Sequence, residues 1–130
     1  DKISLKASWT KGGKARDIPI KNDEQRRLLE EARQFAGRGA MIPTNKNYIQ
    51  QLKTYERNTA KAGLEKNHGL RHAYAQRRYE ELTGWKSPAD GGPARRTLDG
   101  DDRDKDNDVR LAISKELGHE RISILAVYLS

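Results

Sequence analysis

The residues of this chain that could do chemistry lie in three separate stretches. Tyr128 stands nine positions after His119 in LGHERISILAVY, His68 and Arg71 stand three apart in HGLRH, and Lys11 and Lys14 flank a pair of glycines. A hydroxyl nucleophile, two histidines, an arginine and a lysine are the parts needed to attack a phosphodiester. A phenol, with an ordinary pKa of about 10, is protonated at neutral pH and needs a base, or positive charges that favour the phenolate as it forms. An arginine can hold two phosphate oxygens through its planar fork. If a helix starts near His68, Arg71 shares its face, and the free N–H groups of that end favour an anion. Each residue also has a plainer reading. Tyr128 in ILAVYL could be a core aromatic with its hydroxyl at the rim. Arg71 could be a surface arginine paired with a glutamate, and His119 a helix-end histidine satisfied by a carbonyl.

The elements that must position these groups can be read from periodicity and turn residues. Residues 2–8 alternate, with Ile3, Leu5 and Ala7 on one side, which predicts a strand. Lys11-Gly12-Gly13-Lys14 predicts a hairpin turn, and residues 15–20 the returning strand, at an edge or ending near Pro19 because proline has no N–H. Asn22 or Asp23 caps a helix running to about Ala36 with an apolar stripe of Leu28, Leu29, Ala32, Phe35 and Ala36, ended by Gly37 and Gly39. A second helix opens at Pro43 and Thr44 and carries Tyr48, Leu52 and Tyr55, until Gly63 or Gly69 interrupts it. A third spans about Leu70 to Leu82, closed by Gly84. Residues 85–108, with their prolines, glycines and seven aspartates, read as a surface loop inserted between helices. Asp108 then caps a short helix from Val109 to Leu117, and a last segment, about Glu120 to Leu129, carries Tyr128.

Composition bounds the function. The 130 residues are enough for one domain, but only 34% are hydrophobic against 35% charged, a modest core that suggests part of a larger fold. The net charge is +7, and it is uneven: residues 1–87 carry 19 Lys and Arg against 10 Asp and Glu, residues 88–130 carry 7 against 9. A basic body suits a polyanionic partner, most often nucleic acid, although charge alone is equally compatible with a plain basic surface. There is no cysteine, which rules out disulfides and thiolate metal sites and fits a reducing compartment. No apolar run approaches the length of a membrane span, and no signal peptide is visible. The start at Asp1, without Met, suggests that the chain begins partway into a longer protein. His68 and His72, four apart, could pair on zinc with His119 as third ligand, but there is no HExxH. The aspartates from Asp102 imitate a calcium loop only superficially, since Asn107 stands where glycine is needed and Ile113 where glutamate is. Neither a metal nor a cofactor is expected.

Taken in order, these motifs resemble the catalytic domain of the tyrosine recombinase (phage-type integrase) family. TKGGKARDIPI is similar to the family's β-hairpin, which places its lysine on Lys11; HGLRH matches the HxLRH box and gives His68 and Arg71; LGHERISILAVY gives His119 and the nucleophile Tyr128. The resemblance covers most of the chain apart from 85–108. It implies a mixed α+β, mainly α-helical fold over 1–130, with an N-terminal β-hairpin edge packed on a helical catalytic domain of the tyrosine recombinase or type IB topoisomerase kind. The family's first arginine belongs to a segment before the hairpin and is not in this sequence, an absence that bears on whether this stretch is active by itself. The threonine common between LGH and the tyrosine is replaced here by an apolar residue, and only Leu129 and Ser130 follow Tyr128.

The resemblance further implies a site-specific DNA recombinase that cleaves and rejoins DNA through a 3′-phosphotyrosyl link without a cofactor. It would act as a homotetramer on paired double-stranded DNA sites, in the cytoplasm of a bacterium or phage host, associated with the nucleoid. Tyr128 would attack, Arg71 and His119 would hold the phosphate, Lys11 would protonate the leaving 5′-oxygen, and His68 would assist as base or by orienting its neighbours. Lys14 competes with Lys11 for the acid role. Type IB topoisomerase-like strand relaxation and a non-catalytic DNA-binding fragment are the alternatives, with a basic helical interaction domain behind them.

Overall fold

Alternation of half-buried Ile3 and Leu5 with exposed Lys2 and Ser4 gives the first strand, β1 (Lys2–Leu5). The computed structural model describes residues 1–64 and 68–130. β1 pairs antiparallel with β2 (Arg16–Pro19), Asp1 lying opposite Ile20 and Ser4 opposite Asp17. The first strand is shorter than the 2–8 expected, because Ala7–Trp9 wind into a 3-10 turn closed by Trp9 N–H on the Lys6 carbonyl at 3.0 Å. The second ends at Pro19, the edge residue without an N–H, one position before the Ile20 N–H that donates to the Asp1 carbonyl at 3.0 Å. Thr10 ties off the turn between the strands. Its Oγ1 accepts from the Lys14 N–H at 2.9 Å, and its carbonyl accepts from Gly13, whose φ of 63° is one that glycine adopts freely.

Five α-helices and this one sheet occur among the described residues, with helix making up 61% of the structure. The mainly helical α+β expectation holds at that level. None of the described helices is long and apolar enough to cross a membrane. The chain divides into two compact units, Asp1–Ile3 with Pro19–Lys66 and Ser4–Ile18 with Asn67–Ser130.

The first unit contains α1 (Asp23–Ala36) and α2 (Tyr48–Lys61). Asn22 caps α1 by accepting from the Gln25 N–H at 2.8 Å. The second helix starts later than Pro43 because Asn47 and Gln50 form a reciprocal capping box, each side chain bonding the other's backbone N–H at 2.9 Å. The apolar stripe of α1 stays largely exposed, Phe35 at 66%.

The second unit holds all five expected site residues. It is built from α3 (His68–Thr83), α4 (Gly100–Glu116) and α5 (Leu125–Leu129). Ala75 and Tyr79 of α3, Val109 and Ile113 of α4, Leu117, and Leu125 and Leu129 of α5 form its core. Helical spacing of four brings each of these pairs onto one face.

The loop expected over 85–108 is a correction. Its first part carries two 3-10 turns, Pro88–Asp90 and Arg95–Thr97, and from Gly100 onward it is the first two turns of α4, so the helix expected to begin at Val109 begins nine residues earlier. The reason is visible in what α4 buries: Asp106, Val109, Arg110, Ile113 and Ser114. Asp106 is fully buried, accepting from the Tyr79 hydroxyl at 2.7 Å and from Arg110 Nε at 2.9 Å on both oxygens, with Arg95 Nε at 3.3 Å. A buried carboxylate met by two guanidinium groups and a phenol is satisfied without water. The buried face of the helix is therefore part ionic, and apolar periodicity does not reveal it. Trp85 also packs against the core, and Lys105 caps the end of α3 by donating to the Thr83 carbonyl at 2.9 Å.

Candidate active site

Each candidate side chain is delivered by an element whose local sequence explains its position. Tyr128 rides on α5, a single short helix pinned by Leu125 and Leu129, which are 0% and 1% exposed. Gln76 of α3 adds a hydrogen bond to the Tyr128 carbonyl at 3.2 Å. With its backbone fixed this way, the half-buried phenol lies against α3, its ring 4.9 Å from that of His72 and 6.3 Å from that of His119.

Arg71 leaves the first turn of α3 and reaches the end of α4. Its Nη2 donates to the Leu117 carbonyl at 2.7 Å, and its Nε to the Tyr128 hydroxyl at 3.4 Å. The C-terminal carbonyls of α4 carry partial negative charge and stabilise a guanidinium there. The plainer reading, an arginine paired with a glutamate, does not describe it; that role falls to Arg78, which bonds Glu116 and Glu81.

His119 follows Gly118, whose φ of 85° ends α4 in the left-handed region. The His119 N–H donates to the Ser114 carbonyl at 2.8 Å, which fixes the start of the ring. Its Nε2 is buried and has no hydrogen-bond partner among the described residues. Burial first, and then the positive charges of Arg71, Arg16 and Lys14, pull its pKa below the ordinary histidine value. His119 is thus a neutral imidazole at neutral pH, able to hydrogen-bond a ligand through a nitrogen that nothing else engages.

Lys11, His68, Arg71, His119 and Tyr128 all line one cavity of about 700 Å³, together with Trp9, Thr10, Arg16 and Gly118. That is room for a phosphate and its flanking sugar atoms. Among the described residues its lining carries no carboxylate, so its ionisable side chains are cationic or neutral. Lys11 and His68 are exposed, and neither makes an ion pair or hydrogen bond among the described residues. Lys14, the competitor of Lys11, does not line this cavity; its ammonium pairs with Glu120 at 2.8 Å. Among the described residues no three His, Asp or Glu side chains gather as a metal-ligand set.

Two contributors were not singled out by the sequence. His72 is the ring packed closest to Tyr128, and the sequence marks it only as half of a possible zinc pair. The sequence marks Arg16 only as a strand residue. Its guanidinium lies over Gly118, where a Cβ would come within 2.4 Å of Nη1. The position of Arg16, two residues past Lys14 on a strand facing LGH, is the signal that could have found it.

Compared with known proteins, the chain matches no family model, no curated protein and no solved structure.

Proposed function

We propose that the chain carries the active site of a tyrosine recombinase, cleaving and rejoining double-stranded DNA through a covalent phosphotyrosyl intermediate. The observation that carries this reading is the gathering of Lys11, His68, Arg71, His119 and Tyr128 around one cavity that no carboxylate lines among the described residues, with Arg71 in reach of the Tyr128 hydroxyl. These residues come from stretches far apart in sequence, and their types are those that in-line attack on a phosphodiester requires.

In the proposed reaction Tyr128 Oη forms a bond to phosphorus and the bond to the 5′-oxygen breaks. The phenolic proton passes to His68, and Lys11 gives a proton to the departing 5′-oxygen. Arg71 and His119 hold the non-bridging oxygens; preorganised donors of this kind supply about 3–4 kcal/mol each to the transition state. The phosphotyrosyl link conserves the energy of the broken bond. A 5′-hydroxyl from another strand can therefore reverse the step, giving strand exchange with no nucleotide cofactor. By the family resemblance, the working assembly is a homotetramer on paired sites.

The test is covalent capture. The protein is mixed with a pool of randomised duplexes nicked at staggered positions, so that in some members a nick falls just beyond the cleaved bond and the released fragment diffuses away, and adducts that survive denaturation are collected. Tyr128→Phe is expected to bind the pool as the wild type does and to form no adduct. An adduct formed by the Phe variant would assign the nucleophile elsewhere, and no adduct from the wild type would overturn the reading.

A further inference from the structure

We infer that Arg16 is a direct phosphate contact in this cavity, a second guanidinium acting beside Arg71. The inference rests on the phosphodiester reading of the site and adds to it a residue that the sequence motifs do not assign.

The first observation is an unanswered charge. The Arg16 guanidinium makes no hydrogen bond or ion pair among the described residues, and its Nε is buried without a partner. The other half-buried or buried arginines of this unit have oxygen partners: Arg110 and Arg95 on Asp106, Arg78 on Glu116, Arg103 on the Arg95 carbonyl, Arg71 on the Leu117 carbonyl. Withdrawing a cationic N–H from water with nothing to receive it is costly, and native structures rarely leave one so. Glu120, the carboxylate lining the smaller cavity that Arg16 also borders, is already engaged by Lys14.

The second observation is convergence. Among the described residues of this unit three buried side-chain nitrogens make no hydrogen bond; Arg95 Nε faces the Asp106 carboxylate at 3.3 Å, and the other two, Arg16 Nε and His119 Nε2, belong to residues lining the same cavity. One oxyanion between them would answer both. The third is a shaped seat. Gly118 has no side chain where the guanidinium lies, and a Cβ there would come within 2.4 Å of Nη1 and 2.9 Å of Cζ. The guanidinium thus occupies the space that a side chain at position 118 would fill, and a planar fork matches the geometry of two phosphate oxygens.

The experiment titrates the protein with inorganic phosphate at fixed pH and ionic strength, following the arginine Nε–H and histidine ring signals by NMR. Phosphate should move the Arg16, Arg71 and His119 signals together. Arg16→Ala should weaken phosphate binding about tenfold or more, as loss of a charge-assisted hydrogen bond does. Arg16→Lys keeps the charge but loses the fork; it should still weaken binding severalfold, and it carries the test if the alanine variant does not fold. Phosphate affinity unchanged in Arg16→Lys and Arg16→Ala, with Arg71→Ala still weakening it, would overturn the inference and reduce Arg16 to a strut. Failure of covalent capture with Arg16-dependent phosphate binding intact would instead overturn the recombinase reading and leave the phosphate contact standing.

Discussion

Arg71 bridges the Leu117 carbonyl and the Tyr128 hydroxyl, at 2.7 and 3.4 Å. One guanidinium thus links the end of α4 to the phenol on α5. The short bond anchors the fork and the long one is easily exchanged for a phosphate oxygen. Replacing Arg71 with Ala is expected to slow covalent capture by about 10²–10³-fold, the usual cost of an oxyanion donor. Arg71→Lys should recover little, since a single ammonium nitrogen lacks the spread, planar fork by which Nη2 holds the carbonyl while Nε faces the phenol. A lysine variant that captures DNA at the wild-type rate would show that charge alone suffices.

His119 makes a pH prediction with a definite sign. Burial and the neighbouring Arg71, Arg16 and Lys14 hold its pKa below the ordinary value. The unfolded chain therefore takes up this proton first as pH falls. Stability from this group is fully present above about pH 6.5, is lost as the pH drops from there to the lowered value, and then levels off. A bound oxyanion favours the imidazolium and raises the pKa. Sulfate keeps its charge through this range, so it should bind more tightly on the acid side and shift the His119 ring titration upward. A His119 titration that sulfate leaves in place would detach this histidine from the anion.

The two lysines of the turn can be told apart by the leaving group. Lys11 lines the cavity without an ion-pair partner among the described residues, whereas Lys14 is held by Glu120. A substrate with sulfur in place of the 5′-oxygen leaves as a thiolate and needs no proton. Cleavage by Lys11→Ala should be strongly impaired on the ordinary substrate and restored on the sulfur one. If Lys14→Ala were the variant so restored, the acid would be Lys14.

Asp106 should be a stability residue. Removing a buried carboxylate leaves two guanidinium groups and the Tyr79 hydroxyl without their acceptor, and breaking such a pair costs about 3–5 kcal/mol. Burial, then Asp106 itself, raises the Tyr79 pKa, so the phenol stays a donor. Asp106→Ala should shift urea unfolding by this amount, while Asp101→Ala, on an exposed turn of the same helix, should change it little. Equal effects from the two would mean that Asp106 is not buried in solution.

The contrast between these aspartates also shows how far the sequence could be read. The capped start of α1, the alternation in β1, the glycine ends of α3 and α4 and the five cavity residues were legible, because caps, turns and motifs act over a few positions. Residues 100–108 were not. Their helix buries an aspartate and an arginine against each other, and a window of five aspartates carries no apolar stripe to expose that face. Asn47 was passed over for the same reason in reverse: Pro43 gives a strong local signal, yet the capping box with Gln50 decides where α2 begins. Arg16 was hidden because its significance depends on Gly118, a hundred residues away, having no side chain beneath it.

Lys11 and Arg16 stand on the same hairpin, joined through a turn that the Thr10 hydroxyl closes. The proton source and the second phosphate contact proposed above therefore share one short piece of backbone, while the proposed nucleophile stands on a separate short helix, and a change to the turn at Thr10 would be felt by both cations together.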